Sequence, residues 1–132
     1  MLLQPGIERR RAEDGTAVVD FALIGGLLTV IFIAIVQLAL VLHVRNTLID
    51  AASSGARFGT LADRTAGDAE QRTASLISLA LGDRFSEEIA VEQSDVGGVQ
   101  TLEVVVRAPL PVIGLIGPTD VLEVRGRAAF PP

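Results

Sequence analysis

The feature that most constrains this chain is an uncharged apolar segment near its N-terminus. From Phe21 to Leu42 no residue carries a charge. At a rise of roughly 1.5 Å per residue, a helix over this segment is about 33 Å long, enough to cross the roughly 30 Å hydrocarbon core of a bilayer. A carboxylate, Asp20, lies at the edge of the segment, where it is costly unless something uses it. We therefore expect a transmembrane helix over residues 16–43.

The flanking charges predict an orientation for this helix. Three arginines, Arg9–Arg11, precede the apolar segment, whereas only His43 and Arg45 follow it closely. By the positive-inside rule, the end with more cations is cytoplasmic. We therefore expect residues 1–15 to be a cytoplasmic leader and residues 44–132 to form an extracytoplasmic domain that includes the outer half of the long helix.

A cleavable secretory signal is the lesser alternative for this segment. Such signals have an apolar core of roughly 7–15 residues followed by a small-residue cleavage site. The apolar core here is longer, and helix-forming sequence follows it without a break. The nearest small-residue run, Ala51-Ala52-Ser53, lies well beyond Leu42. The pattern therefore favours a membrane anchor.

Composition excludes several classes of protein. Hydrophobic residues make up 49% of the 132 residues, and about 90 residues remain outside the leader and the span, enough for one small domain. The chain has no Cys, which excludes disulfides and thiolate metal sites. Its formal net charge is −5, and no basic cluster occurs beyond the leader, so we expect no binding to nucleic acid.

No arrangement of residues in the sequence points to catalysis. His43 is the single histidine, and no Gly-rich phosphate loop or metal-ligand spacing occurs. The adjacent acids Glu87 and Glu88 are expected at a strand start, where neighbouring side chains point to opposite faces. We therefore expect no enzymatic activity, no cofactor and no metal site.

Apolar residues continue at helical spacing beyond the span. They recur in steps of three and four, which is typical of a helix with one buried face. The sequence thus predicts one helix from about Thr16 to about Leu61. Its apolar stripe is either the core of the outer domain or a helix–helix assembly face, and the two are compatible. The stripe consists of Val44, Leu48, Ala51, Ala52, Gly55 and Phe58.

The remainder predicts a short helix and a small sheet. Residues 68–81 fit a second helix, capped by Thr65 or Asp68 and ended by Gly82-Asp83. The period then changes to two, which predicts a hairpin and a third strand. The hairpin strands are centred on 89–93 and 102–106 with a turn at 95–98, the third strand covers 121–130, and the apolar, proline-rich connection 109–118 is expected to pack down. The expected fold class is α+β, pilin-like, with a three-stranded antiparallel sheet that needs a helix against one face.

Three parts of the sequence form a recognisable set. Gly15 followed by Thr16-Ala17-Val18-Val19-Asp20-Phe21 is similar to a prepilin peptidase site, in which cleavage after Gly leaves an acid fifth and Phe sixth in the mature chain. The others are residues 35–58, ending in Gly55-Ala56-Arg57-Phe58, and, more loosely, residues 104–118. Together they resemble the TadE-like pilus assembly proteins, pseudopilins of the tight-adherence (Flp-type) pilus systems of bacteria.

The resemblance implies a processing step and an assembly contact. A membrane-bound prepilin peptidase would cut after Gly15, where the absence of a side chain leaves an extended backbone unobstructed. Cleavage would free the α-amine of Thr16. In pilin-like assemblies the acidic residue pairs with that amine on a neighbouring subunit, so the resemblance implies this assembly role for Asp20, beside Phe21. The expected partners are the membrane, the peptidase, and other pilin and pseudopilin subunits.

The sequence departs from the family pattern in places, and alternatives stay open. Asp20 replaces the usual Glu, Gln37 stands where an acid is frequent, and His43 stands where an aromatic residue is common. The favoured function is a minor pilin or pseudopilin that enters the fibre, caps it or stays in the membrane complex. The alternatives are an unprocessed single-pass accessory protein, with Gly15 an ordinary loop glycine and Asp20 among the headgroups, and a small cell-surface enzyme.

Overall fold

The computed structural model describes residues 5–111 and 121–132. By contacts the chain divides into two compact units, up to Leu38 and from Ala39 onward, and each is described by itself. The helices and strands confirm the expected α+β class. They are α1 (Pro5–Gly59), α2 (Ala66–Leu81), a single 3-10 turn (Asp83–Phe85), β1 (Glu88–Val96), β2 (Val99–Pro109) and β3 (Val121–Ala129).

Helix α1 begins earlier than the sequence predicted. It starts at Pro5 rather than at Thr16, and it ends at Gly59, close to the predicted Leu61. Proline suits the first position of a helix, because its missing N–H would have no partner there. The Arg, Glu and Ala residues that follow are strong helix formers, and a single glycine at Gly15 costs only about 1 kcal/mol relative to alanine. The leader is therefore helical from Pro5 up to the predicted cleavage point.

Helix α2 is fixed at both ends by local interactions. The hydroxyl of Thr65 accepts a hydrogen bond from the Asp68 amide at 3.3 Å, and the Asp68 carboxylate accepts one from the Thr65 amide at 2.8 Å. This reciprocal pair is a capping box, so both residues predicted as caps take part. The hydrogen bonds to Thr65 hold the pKa of Asp68 below its usual value. At the other end, Gly82 adopts φ 101°, which stops the helix.

The three strands form one antiparallel sheet in the order β1-β2-β3. Gly97 and Gly98 link the hairpin with φ of 63° and 85°, a conformation suited to a tight two-residue turn. The Asp95 carboxylate accepts a hydrogen bond from the Gly98 amide at 2.7 Å and holds this turn. The connection between β2 and β3, which the sequence predicted to pack down, lies mostly within residues 112–120, and these are outside the described residues.

One face of the sheet packs on residues of α1 and α2 within the second unit. Val104 at the centre of β2 is fully buried and lies opposite Val91 on one side and Gly126 on the other. The helix side of the core contains most of the predicted apolar stripe, which is therefore a domain core. The largest buried side chains of the whole core are Leu48, Ile77, Leu102, Val104 and Val106. The smaller ones are Val44, Ala51, Ala52, Ala56, Ala69, Ala108 and Val124.

Glycines allow the elements of this core to approach closely. A Cβ at Gly126 would collide with the backbone of Ala52 and Ser53 in α1. A Cβ at Gly55 would collide with the hydroxyl of Thr73 in α2. Since a real side chain has no room at either place, α1 packs against the sheet and against α2 almost backbone to backbone.

We expect Gly126→Ala to destabilise the second unit by about 3 kcal/mol, because the added methyl group must push α1 away from β3. Thermal unfolding of the full chain in mild detergent, followed by the circular dichroism of the sheet, measures this change. The matched control is Gly67→Ala in α2, where the nearest atom to a new Cβ is 3.6 Å away. The control should leave stability unchanged or raise it, and equal melting curves for both variants would contradict the close approach.

Candidate processing and assembly site

The first feature of the candidate site is the apolar surface of α1. Large apolar side chains are exposed along it from Val18 to Leu42, with Phe21 80% and Phe32 67% accessible. The helix is near the N-terminus and is long and apolar enough to cross a membrane, with an 18-residue stretch of mean hydropathy 2.7. In water this much exposed apolar surface would be strongly unfavourable, whereas lipid covers it without cost. The structure thus fits a single-pass membrane protein.

The predicted cleavage point lies inside this helix. Gly15 and Thr16 are both helical and exposed, and a Cβ at Gly15 would have no neighbouring atom within 4 Å. The Thr16 hydroxyl donates a hydrogen bond to the carbonyl of Ala12 at 2.8 Å. The Gly15–Thr16 bond is therefore open on its sides, but its backbone is helical rather than extended.

The predicted assembly residues lie one turn further along α1. Thr16 and Asp20 are four residues apart, which places them on one face of the helix with a rise of about 6 Å between them. Asp20 is exposed and forms no hydrogen bond or ion pair with any residue of the described part of the chain. Phe21 points away from any core at 80% exposure. The carboxylate and the ring are thus both accessible to a partner.

The structure also reveals a charged network that the sequence analysis missed. On the sheet face opposite the core, Arg125 and Arg127 both donate to the Glu103 carboxylate, at 2.8 and 2.5 Å. Arg125 and Arg107 donate to Glu123 at 2.8 and 3.0 Å. The ion-pair ladder, defined as these five residues, runs across β2 and β3. In the sequence, the only sign of this ladder is that β2 and β3 carry opposite charges. Which charges pair depends on the register of the two strands, which the sequence does not specify.

Glu103 is the carboxylate that this ladder encloses most completely. Its side chain is only 7% exposed, whereas those of Arg125 and Arg127 are 52% and 58% exposed. Burial raises the pKa of Glu103, but the hydrogen bonds from Arg127 and Arg125 outweigh burial and lower this pKa overall. Hydrogen bonds from Arg125 and Arg107 likewise lower the pKa of Glu123. Both acids therefore stay charged and bind the two strands together at neutral pH.

Contacts between two arginines and the ring of Phe58 join α1 to the loop that follows it and to α2. The guanidinium carbon of Arg64 lies 4.6 Å from the centre of the Phe58 ring, and that of Arg72 lies 5.6 Å from it. Such cation–π contacts contribute about 0.5–1 kcal/mol at exposed sites. Arg57, which precedes Phe58 in the same motif, is exposed and forms no ion pair within residues 5–111 and 121–132. The contact to α2 is thus made by its neighbour Phe58.

These features together define a protein with an N-terminal helix of membrane-spanning length and a small α+β domain. The family model described as TadE-like protein matches residues 15–57, so this segment of the chain is similar to TadE-like proteins. The family indicates a role in the assembly of tight-adherence pili. The matched segment starts at Gly15 and ends near the C-terminal end of α1, before the sheet. No curated protein and no solved structure gives a significant match.

We expect Glu103→Gln to destabilise the second unit by about 1 kcal/mol at neutral pH, since it removes the charged partner of two arginines. Below pH 4.5 the difference should shrink. A carboxylate whose pKa is lowered by folding stabilises the fold above its unfolded pKa, and this stability is lost as pH falls through the folded pKa. Melting temperatures of both proteins from pH 7 to pH 3 measure the effect.

The matched control for this prediction is Glu92→Gln. Glu92 is exposed on β1 and lies directly opposite Glu103 in the sheet. Because like charges opposite each other destabilise a strand pair, removing this charge should leave stability unchanged or raise it slightly. If both variants lost the same stability with the same pH dependence, the ladder would have no specific role.

Proposed function

We propose that this chain is a minor pilin or pseudopilin of a tight-adherence pilus, processed by a prepilin peptidase after Gly15. The single observation that carries this proposal is the family match, which begins at Gly15 and extends along the apolar helix. The exposed surface of α1 from Val18 to Leu42 supports it, since a subunit held in a membrane before assembly needs such a surface.

The proposed orientation places the leader in the cytoplasm and the α+β domain outside. Arg9–Arg11 support it, because cationic residues beside a span stay on the cytoplasmic side. This orientation puts the Gly15–Thr16 bond at the cytoplasmic membrane surface, where a membrane-bound peptidase has access to it. The proposed role of the protein is structural and not enzymatic. The domain on the helix argues against a major pilin, which would be little more than the helix itself.

Asp20 is the proposed assembly contact. Once Gly15 is cut away, the α-amine of Thr16 is a cation, and the exposed Asp20 of a neighbouring subunit is a suitable partner for it. Attraction between two charges is much stronger in a low-dielectric surrounding than in water, but loss of hydration offsets much of the gain. We therefore propose that this pair selects the register of neighbouring helices more than it adds net stability.

One observation favours an unprocessed single-pass accessory protein as the second candidate. The Gly15–Thr16 bond lies in a helix, whereas peptidases bind extended backbone. In this alternative the leader would remain attached, and the outer domain would bind its partners from a permanent anchor. The state of the N-terminus therefore separates the two candidates.

We expect mass spectrometry of the protein from cells with an active prepilin peptidase to find Thr16 as its first residue. Gly15→Arg should abolish this cut, because a large charged side chain enters the peptidase cleft at the cleaved bond. Ala12→Arg is the matched control: it adds the same charge within the leader and should still be cut. An intact leader on the wild-type protein would contradict processing and favour the accessory protein.

We expect Asp20→Asn to be cut after Gly15 but to copurify poorly with other pilus subunits. Removing one partner of a buried ion pair costs about 3–5 kcal/mol, so recovery should fall at least about tenfold. Asp14→Asn is the matched control, since it makes the same change in the part that processing removes. Asp20→Glu should assemble at least as well as the wild type. Full recovery of Asp20→Asn would exclude the proposed ion pair.

A further inference from the structure

We infer that the leader helix restrains processing, so that the helical turn across the Gly15–Thr16 bond must open before the peptidase can cut. This inference rests on the proposed processing and concerns its rate. It makes the stability of residues 9–16 of α1 a determinant of how fast the mature subunit appears.

The observation is a continuous helix through the bond. Helix α1 begins at Pro5, so the bond lies well inside it and not at a frayed end. In an α-helix the amide of residue 16 donates to the carbonyl of residue 12. The Thr16 hydroxyl donates to that same Ala12 carbonyl at 2.8 Å. Two hydrogen bonds from Thr16 thus close the turn that contains the bond.

The chemistry of cleavage requires this turn to open. In an aspartic peptidase, a water molecule adds to the carbonyl carbon of Gly15, and the bond from that carbon to the Thr16 nitrogen breaks. The nitrogen takes up a proton to leave as the α-amine of Thr16, and Gly15 keeps the carboxylate. In a helix the carbonyl of Gly15 and the amide of Thr16 are both occupied by hydrogen bonds within the chain. An extended peptidase cleft therefore cannot bind them until the turn unwinds.

Unwinding is easier on one side of the bond than on the other. The segment from Phe21 onward is apolar, and a helix opened in lipid leaves backbone groups without partners. The leader is polar, and water can replace its helical hydrogen bonds. Gly15 also lowers the local stability of the helix. Opening therefore proceeds from the leader side, so residues before Gly15 control it.

A fast opening step before a slower cut makes the observed rate proportional to the open fraction. Ala12→Gly should then raise the rate of cleavage by about fivefold, the factor that corresponds to about 1 kcal/mol of helix propensity between alanine and glycine. Ala12→Leu is the matched control, because leucine is nearly as strong a helix former as alanine. Its rate should stay within about twofold of the wild type.

The experiment uses the full chain in nanodiscs with the purified prepilin peptidase of a tight-adherence system. Mass spectrometry follows the appearance of the Thr16 N-terminus with time. Amide hydrogen exchange of residues 12–19, measured without peptidase, reports opening of the turn independently. A second pair, Glu13→Gly against Glu13→Ala, repeats the comparison at another position and so separates helix stability from a direct contact of residue 12 with the peptidase.

Equal acceleration of exchange and of cleavage in both glycine variants is the expected result. Faster exchange with unchanged cleavage rates would overturn the inference and leave the proposed processing intact. A wild-type Thr16 amide that exchanges as fast as in an unfolded peptide would also overturn it. If no variant were cut even where exchange shows the leader open, the proposed processing itself would fail, and this inference with it.

Discussion

The close approach of α1 to the sheet is the constraint on which the folded domain depends. Gly126 in β3 lies against the backbone of Ala52 and Ser53, and Gly55 lies against Thr73 of α2. A sheet with one apolar face must bury that face against another element. The small residues of α1 therefore serve to bring one helix within reach of both the sheet and the second helix. The chain has no disulfide to share this task, since it lacks cysteine.

The opposite face of the sheet is stabilised by ion pairs rather than by apolar burial. There the ion-pair ladder joins β2 to β3 through Glu103 and Glu123, with arginine side chains that stay half exposed. Exposed ion pairs contribute little singly, but a carboxylate that two guanidinium groups share is held more firmly. The helix-facing side thus supplies apolar burial, and the outer side keeps the strands in register.

The sequence predicted much of this fold, and the exceptions have physical causes. Period and capping signals gave α2, the hairpin and the apolar stripe of α1, because these depend on neighbours along the chain. The predicted start of α1 at Thr16 is wrong, because strong helix formers precede Gly15 and the helix continues through it. The roles of Gly126 and Glu103 could not be predicted, because they depend on how β2 and β3 align. Gly15 and Asp20 could be proposed as sites because their motif is local, whereas the partners proposed for them belong to other chains.

The edge strand β1 has a consequence for how copies of this protein can associate. Among the described residues it forms one edge of the sheet, and it carries Glu88, Glu92 and Asp95. Charged side chains on an edge strand oppose the addition of a further strand from another molecule. Two copies that met edge to edge through β1 would bring these carboxylates together. Pairing of two β1 edges is therefore disfavoured, and the uncharged surface of α1 carries no such repulsion.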